Sequence, residues 1–168
     1  MIGLPGSGKS YVADTIRIGR EYDFNGWICS TDGVIDNIAE EYGLTYNDCF
    51  KDLIDFATKQ YNRDVAMGVA EGCDIILDQT NLTAKSRARK LAAIPKSYKK
   101  VAVVVPTQIT DPARWQKQLN RPGKTIPVDV INEMVTNFQY PTFAEGFDEI
   151  WTETTDSYGN LFLNKKTS

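Results

Sequence analysis

Histidine is absent from all 168 residues. That absence removes Ser-His-Asp triads, histidine-bearing zinc sites and imidazole general bases, so any proton acceptor has to be a carboxylate. Cysteine is scarce. Cys29, Cys49 and Cys73 are an odd count at wide spacing with no CxxC pair, which suggests neither a disulfide framework nor a zinc site. No apolar run approaches the ~20 residues needed to cross a bilayer, and the N-terminus lacks the basic-then-apolar pattern of a secretory signal. The expectation is a cytoplasmic protein with no membrane partner. The net charge of -3 argues against a broad non-specific nucleic-acid surface and leaves room for a local basic groove. Repeats, low-complexity tracts and Pro/Gly/Ser-rich linkers are also missing, so residues 1–168 are read as one domain.

What is present alternates. Trp27-Ile28-Cys29, Ile75-Ile76-Leu77, Val101 to Val105 and Ile150-Trp151 read as strands, and residues 9–20, 32–42, 47–71, 83–94, 111–120 and 128–139 read as helices. Such alternation calls for an α/β fold with a parallel sheet covered by helices on both faces, and Val101 to Val105 has the unbroken apolar character of a doubly buried strand. Asn47, Thr83 and Asp111-Pro112 are plausible helix starts. Residues 157–168 form a polar ending with one edge hairpin around Gly159-Asn160. In parallel sheets ligands gather at the carboxyl ends of the strands, where every motif below falls.

Gly3-Leu4-Pro5-Gly6-Ser7-Gly8-Lys9-Ser10 fits the phosphate-cradling pattern GxxxxGK[ST] at each fixed position. Glycines let backbone N–H groups curl around phosphate oxygens, lysine reaches the transferred phosphate, and the serine hydroxyl ligates magnesium. Gly3, Pro5, Gly6, Ser7, Gly8, Lys9, Ser10 and the following Tyr11 are therefore the candidate contacts for ATP, with Mg2+ at Ser10. The alternative is a plain glycine turn between strand and helix. Only Met1 and Ile2 precede Gly3, so the first strand is expected to be stunted or to continue upstream.

Asp32 follows the Trp27 to Cys29 run and is the candidate general base for an alcohol acceptor. It is equally an aspartate favoured at the start of the next helix. Asp78-Gln79-Thr80-Asn81 occupies the same position after Ile75 to Leu77. Asp78, Thr80 and Asn81 are candidates for holding magnesium-bound water or the acceptor, or else they form an Asx-type turn. Within the basic series Lys85, Arg87, Arg89 and Lys90, Arg87 is near enough to that turn to meet an anionic substrate, although such a series is commonly a solvated face. Asn120-Arg121-Pro122-Gly123-Lys124-Thr125-Ile126-Pro127 joins two helices with two cations, a glycine and two prolines. It reads as a lid, about residues 111–139, with Arg121 placed against the transferring phosphate, or as an exposed turn.

With GLPGSGKS, STD, DQTNL, NRPGKTIPVDVINEM and FQYPTFAEGFDEI in order along nearly the whole chain, the sequence resembles the kinase domain of the polynucleotide kinase family. The resemblance implies a P-loop kinase fold with sheet order 2-3-1-4-5 and a helical lid. It also implies Lys9 and Ser10 on phosphate and magnesium, Asp32 as base, the turn from Asp78 to Asn81 at the acceptor, and Arg121 as lid arginine. End-phosphorylating phage members carry an arginine three residues after the base, where this chain has Ile35. Stand-alone phage relatives are implied to phosphorylate the hydroxymethyl group of 5-hydroxymethyluracil within DNA, in the host cytoplasm, without a terminal-phosphate clamp. Such a target invites an aromatic platform, for which Trp115, Tyr140, Phe143 and Tyr46 are available. The rival readings are a 5′-hydroxyl end kinase, a small-molecule or nucleoside kinase, and a nucleotide-sensing switch. The switch lacks an NKxD signature, and its only DxxG, Asp23 to Gly26, precedes a strand.

Overall fold

In the computed structural model, which describes residues 1–105, 112–155 and 161–168, short parallel strands carry helices that begin at the strand ends. The helices are α1 (Lys9–Ile18), α2 (Thr31–Glu41), α3 (Tyr46–Glu71), α4 (Ala84–Leu91), α5 (Pro112–Leu119) and α6 (Val128–Thr136). The strands are β1 (Gly26–Cys29), β2 (Asp74–Leu77), β3 (Val101–Val104), β4 (Asn120–Arg121), β5 (Lys124–Thr125), β6 (Glu149–Thr155) and β7 (Leu161–Thr167). Strands β1 and β2 are parallel, with Cys29 opposite Leu77; β3 and β6 are parallel, with Val104 opposite Thr152; β7 returns antiparallel along the outer edge of β6.

The sheet of order 2-3-1-4-5 that the resemblance implies is not formed here as one continuous ladder. It is divided into a β1-β2 pair and a β3-β6-β7 sheet. Between them run Met1 and Ile2, too short to count as a strand. Ile2 is bridged to Val104, with Ile2 N–H donating to Val103 O at 2.8 Å and Val105 N–H to Ile2 O at 2.8 Å. On the other side Met1 N donates to Leu77 O at 3.0 Å and Gly3 N–H to Thr80 O at 3.0 Å. Two residues thus hold the two sheets side by side and aim the glycine loop outward.

The alternation of β3 explains its composition. Val103 and Val105 pack with Val12, Ala13 and Ile16 of α1, whereas Ala102 and Val104 pack with Ile2, Phe147 and Ile150 on the opposite face. Both faces are covered, as its apolar run predicts. A second core lies between α2 and α3, built on Ile35, Ala39, Cys49 and Ala57. At the start of β1 the chain passes so close to β2 that a Cβ on Gly26 would lie 1.8 Å from Asp74 O, so only glycine fits.

Helix starts depart from expectation in one place. Thr45, not Asn47, caps α3: its hydroxyl accepts from Asp48 N–H, and the Asp48 carboxylate accepts from Thr45 N–H in return. Thr83 caps α4 as expected, accepting from Ser86 N–H at 3.1 Å. Asp111 and the turn at Gly159-Asn160 lie outside the described residues. Among the described residues, no helix is long and apolar enough to cross a membrane.

Candidate functional site

The glycine loop is built around its backbone. Gly6 and Gly8 have φ of +72° and +97°, left-handed values that β-carbons resist. No side chain caps the first amides of α1, and its first turn holds no acidic residue. Those N–H groups, together with the positive end of the helix dipole, are left for an external anion. The Ser7 hydroxyl is buried with no partner among the described residues. An orphaned hydroxyl inside a glycine loop fits a phosphate oxygen, because a buried polar atom without a partner is costly. Tyr11, one turn in, is largely exposed.

Lys9 Nζ donates to Leu4 O at 2.7 Å, which folds its side chain back over the loop. Burial holds its ammonium below the ordinary lysine pKa, with the carboxylates of Asp78 and Asp32 acting in the opposite direction. Ser10 Oγ donates to Asp78 Oδ2 at 2.8 Å. Asp78 itself is buried at the carboxyl end of β2, its N–H bonded to Cys29 O at 2.9 Å. A serine at the loop and a carboxylate behind it are the donor set for an octahedral Mg2+ that keeps several waters. The residues therefore fit both a nucleotide phosphate and its metal.

Asp32 projects from the first turn of α2, where Ser30 provides the cap by accepting from Gly33 N–H at 3.1 Å. Its Oδ1 accepts from the Tyr46 hydroxyl at 2.9 Å, and its Oδ2 lies 3.2 Å from Lys124 Nζ. Burial, and then the neighbouring Asp32 carboxylate, push the Tyr46 phenol far above its ordinary pKa, so it remains a neutral donor. Gln79 Nε2 donates to Thr31 Oγ1 at 3.0 Å, tying the turn after β2 to the start of α2.

The remaining candidates of that turn serve the fold. Asn81, at φ +50°, donates from Nδ2 to the carbonyls of Met1, Leu77 and Gln79 at 2.7, 3.3 and 3.2 Å, and its Oδ1 accepts from Lys90 Nζ. Thr80 is half-buried and accepts the Gly3 amide through its carbonyl. Arg87 is corrected outright. Its guanidinium is buried, with Nε and Nη2 on the Glu145 carboxylate at 2.7 and 2.8 Å and Nη1 on the carbonyls of Asn81, Leu82 and Gln139. With four of its five N–H groups so used and the residue only 3% exposed, the guanidinium has little to offer a substrate.

Arg87→Met leaves Glu145 without its partner. The expected cost is about 3–5 kcal/mol of unfolding free energy in urea titration, with kcat of the folded protein unchanged. A loss of kcat with intact stability would return Arg87 to the substrate site.

The segment expected to form a lid is more structured than a loop. Trp115 Nε1 of α5 donates to Pro5 O at 3.0 Å, and a Cβ on Gly6 would press on Gln118 at 3.1 Å, so α5 rests on the phosphate loop. Strands β4 and β5 then make a small antiparallel hairpin, with Arg121 opposite Lys124. The hairpin docks on the start of α3 through Asn47 N–H to Gly123 O at 2.9 Å and Thr125 N–H to Asn47 Oδ1 at 3.3 Å. Gly123 is left-handed at φ +76° and lies where a Cβ would be 2.7 Å from Thr45. Exposed Arg121 lines a cleft of about 430 Å³ together with Asp36, Glu40, Tyr46 and Lys124. Lys124 was not singled out from the sequence; the signal available was Pro-Gly between two cations, a tight turn that sets a basic residue on each side.

Residues 1–141 match the AAA domain family. The chain belongs to that family. This AAA domain is accordingly of the P-loop NTPase-like, kinase type, a family that implies nucleotide binding, typically with a metal. It is similar to heterogeneous nuclear ribonucleoprotein U-like protein 2 of Homo sapiens, 27% identical over 165 residues, covering 96% of this chain and 21% of that protein. The Mus musculus protein of the same name is 28% identical over 167 residues, with coverages of 96% and 21%. The AAA domain thus spans about a fifth of the length of the curated relatives it matches.

Proposed function

We propose that this chain transfers the γ-phosphoryl group of ATP to a hydroxyl group on DNA, with the hydroxymethyl of 5-hydroxymethyluracil as the leading acceptor. One observation carries the reading. The Lys9 ammonium, the Ser10–Asp78 pair and the Asp32 carboxylate come from the loop and from two neighbouring strand ends, yet Asp78 and Asp32 both act on the charge of Lys9.

In that arrangement Lys9 and the free amides of α1 neutralise charge on the transferring phosphate. Magnesium, held through Ser10 with Asp78 behind it, would neutralise charge on the bridging oxygens. Asp32 orients the acceptor hydroxyl and takes its proton as the acceptor oxygen bonds to phosphorus and the bond to the ADP oxygen breaks. Arg121, on the lid hairpin, supplies a further cation.

The base hydroxyl is favoured over a strand end by position 35. Ile35 is fully buried among Ala39, Cys49 and Ala57. Its face of α2 is therefore committed to packing on α3, which supports an acceptor that needs no terminal-phosphate clamp there.

The test offers γ-labelled ATP and magnesium with two duplexes in parallel: one with 5′-hydroxyl ends and ordinary bases, the other with blocked ends and internal 5-hydroxymethyluracil. Label is expected only in the second. Label only in the first makes the protein an end kinase, and label in neither, with ATP bound, points to a small-molecule acceptor.

A further inference from the structure

Among the described residues, Lys124 is the cation that forms an ion pair with Asp32, although it sits on a two-residue surface strand. Its side chain is only 13% exposed. Its ammonium lies 3.2 Å from Asp32 Oδ2 and 3.0 Å from Asp36 Oδ2, and 3.7 Å from the centroid of the Tyr46 ring. Asp32 and Asp36 are four residues apart on α2, hence on one face, and their like charges repel. An ammonium placed between them offsets that repulsion, and the aromatic face below adds a cation–π contact.

We propose that Lys124 is a positioning residue: it fixes the orientation of the Asp32 carboxylate and makes that orientation depend on the docked lid hairpin. The proposal rests on the reading of Asp32 as general base and goes beyond it by naming what aims the base.

Asp32 is held at three points that belong to three different parts of the chain. Its backbone rides on the first turn of α2, its Oδ1 receives the Tyr46 hydroxyl of α3, and its Oδ2 receives Lys124 of β5. The first two belong to one packed unit, since α2 and α3 share a core. Only the third comes from the lid. Lys124 in turn is placed by its turn, because Gly123 O and the Thr125 amide are both bonded to Asn47. A shift of the hairpin by an ångström or two therefore moves the ammonium off Asp32 and leaves its second oxygen free to rotate about the side-chain torsion. Each carboxylate oxygen has two acceptor sites, so the Tyr46 and Lys124 contacts leave a lone pair on each for the acceptor proton. An exposed ion pair of this length would contribute little to stability. Here the ammonium is largely buried while the Asp32 and Asp36 side chains are 57% and 51% exposed, so the shared contact serves orientation more than stability, and a base displaced by about 1 Å can cost about 10²-fold in rate.

The test is a double-mutant cycle read by single-turnover transfer to the 5-hydroxymethyluracil duplex. Lys124→Met is expected to lower kcat by about tenfold to a hundredfold while the KM for ATP holds. In an Asp32→Asn background the same substitution is expected to change the residual rate by less than about twofold, because it acts through a base already removed. An equal loss in both backgrounds would make Lys124 act on the phosphate directly and overturn the proposal. So would an unchanged kcat, or a fall in kcat matched by a rise in the KM for ATP, which would mark lid attachment alone.

A second readout needs no acceptor. The ε-methylene protons of Lys124, lying over Tyr46, should be shielded in the NMR spectrum of the nucleotide-free protein, and an unshielded resonance overturns the proposal whatever the substrate proves to be. Failure of both DNAs to take label, with the shielding present, counts against the acceptor reading and leaves the placement of Lys124 on Asp32 supported.

Discussion

Asp32→Asn is expected to lower turnover by about 10²- to 10⁴-fold, the range supplied by a positioned general base, while ATP binding is retained. Asparagine keeps the size of the side chain and an Oδ1 that can accept the Tyr46 hydroxyl, now at 2.9 Å. It cannot take a proton from an alcohol at neutral pH. The helix itself is safe, because the cap of α2 is Ser30, and Asp32 adds only a first-turn charge worth about 0.3–1 kcal/mol. A fall in rate would thus report chemistry and not unfolding, provided thermal melting stays close to that of the parent. Label transfer in single turnover, beside equilibrium binding of ATP, separates the two terms. Full turnover in the asparagine variant would remove Asp32 from the reaction and leave it as a helix-start residue with two hydrogen-bonding neighbours.

Legibility in the sequence follows distance along the chain. The phosphate loop is local: eight consecutive residues carry both the turn-forming glycines and the candidate chemistry, so Lys9 and Ser10 stand out as candidates without any knowledge of distant contacts. Helices with strong periodicity came out close to their limits, as in the predicted 47–71 against Tyr46–Glu71. Pairing across the chain was not readable. Arg87 looks like Lys85, Arg89 and Lys90 in the sequence, and what distinguishes it is Glu145, 58 residues away. Asn81 looks like an acceptor ligand because it follows a strand, yet its amide is taken by carbonyls up to 80 positions distant. The edge strand β7 was legible as a polar ending with one edge hairpin, and β6 and β7 do pair antiparallel; its contact across the face was not, since Lys165 covers Trp151 at 4.4 Å. Lys124 escaped notice for the same reason: its two carboxylates lie on α2, 88 residues earlier at Asp36.

Lys9→Met is expected to reduce transfer by about 10²–10³-fold or more and to weaken ATP binding, yet to leave the nucleotide-free protein no less stable. Methionine preserves much of the stem and removes the charge. Burial is the largest influence on the Lys9 ammonium and holds its pKa below the ordinary lysine value, with Asp78 and Asp32 opposing. A lysine whose folded pKa lies below its unfolded one binds fewer protons in the native state, so the native state gains stability as pH rises between those two values. Below both values the cost of the buried charge is present in full, and substitution by methionine relieves it at the loss of the hydrogen bond to Leu4 O and of the two carboxylate attractions. On the proposed reading the charge is kept for a phosphate, a stability given up for function. Thermal melting with and without magnesium and ATP reads both effects together: the parent gains melting temperature on adding nucleotide, and the variant should gain much less. A variant that keeps both the nucleotide-induced gain and the turnover would defeat the phosphate-loop assignment. One that melts far lower without nucleotide would make Lys9 a structural tie on Leu4, with its charge serving the empty loop instead of the phosphate.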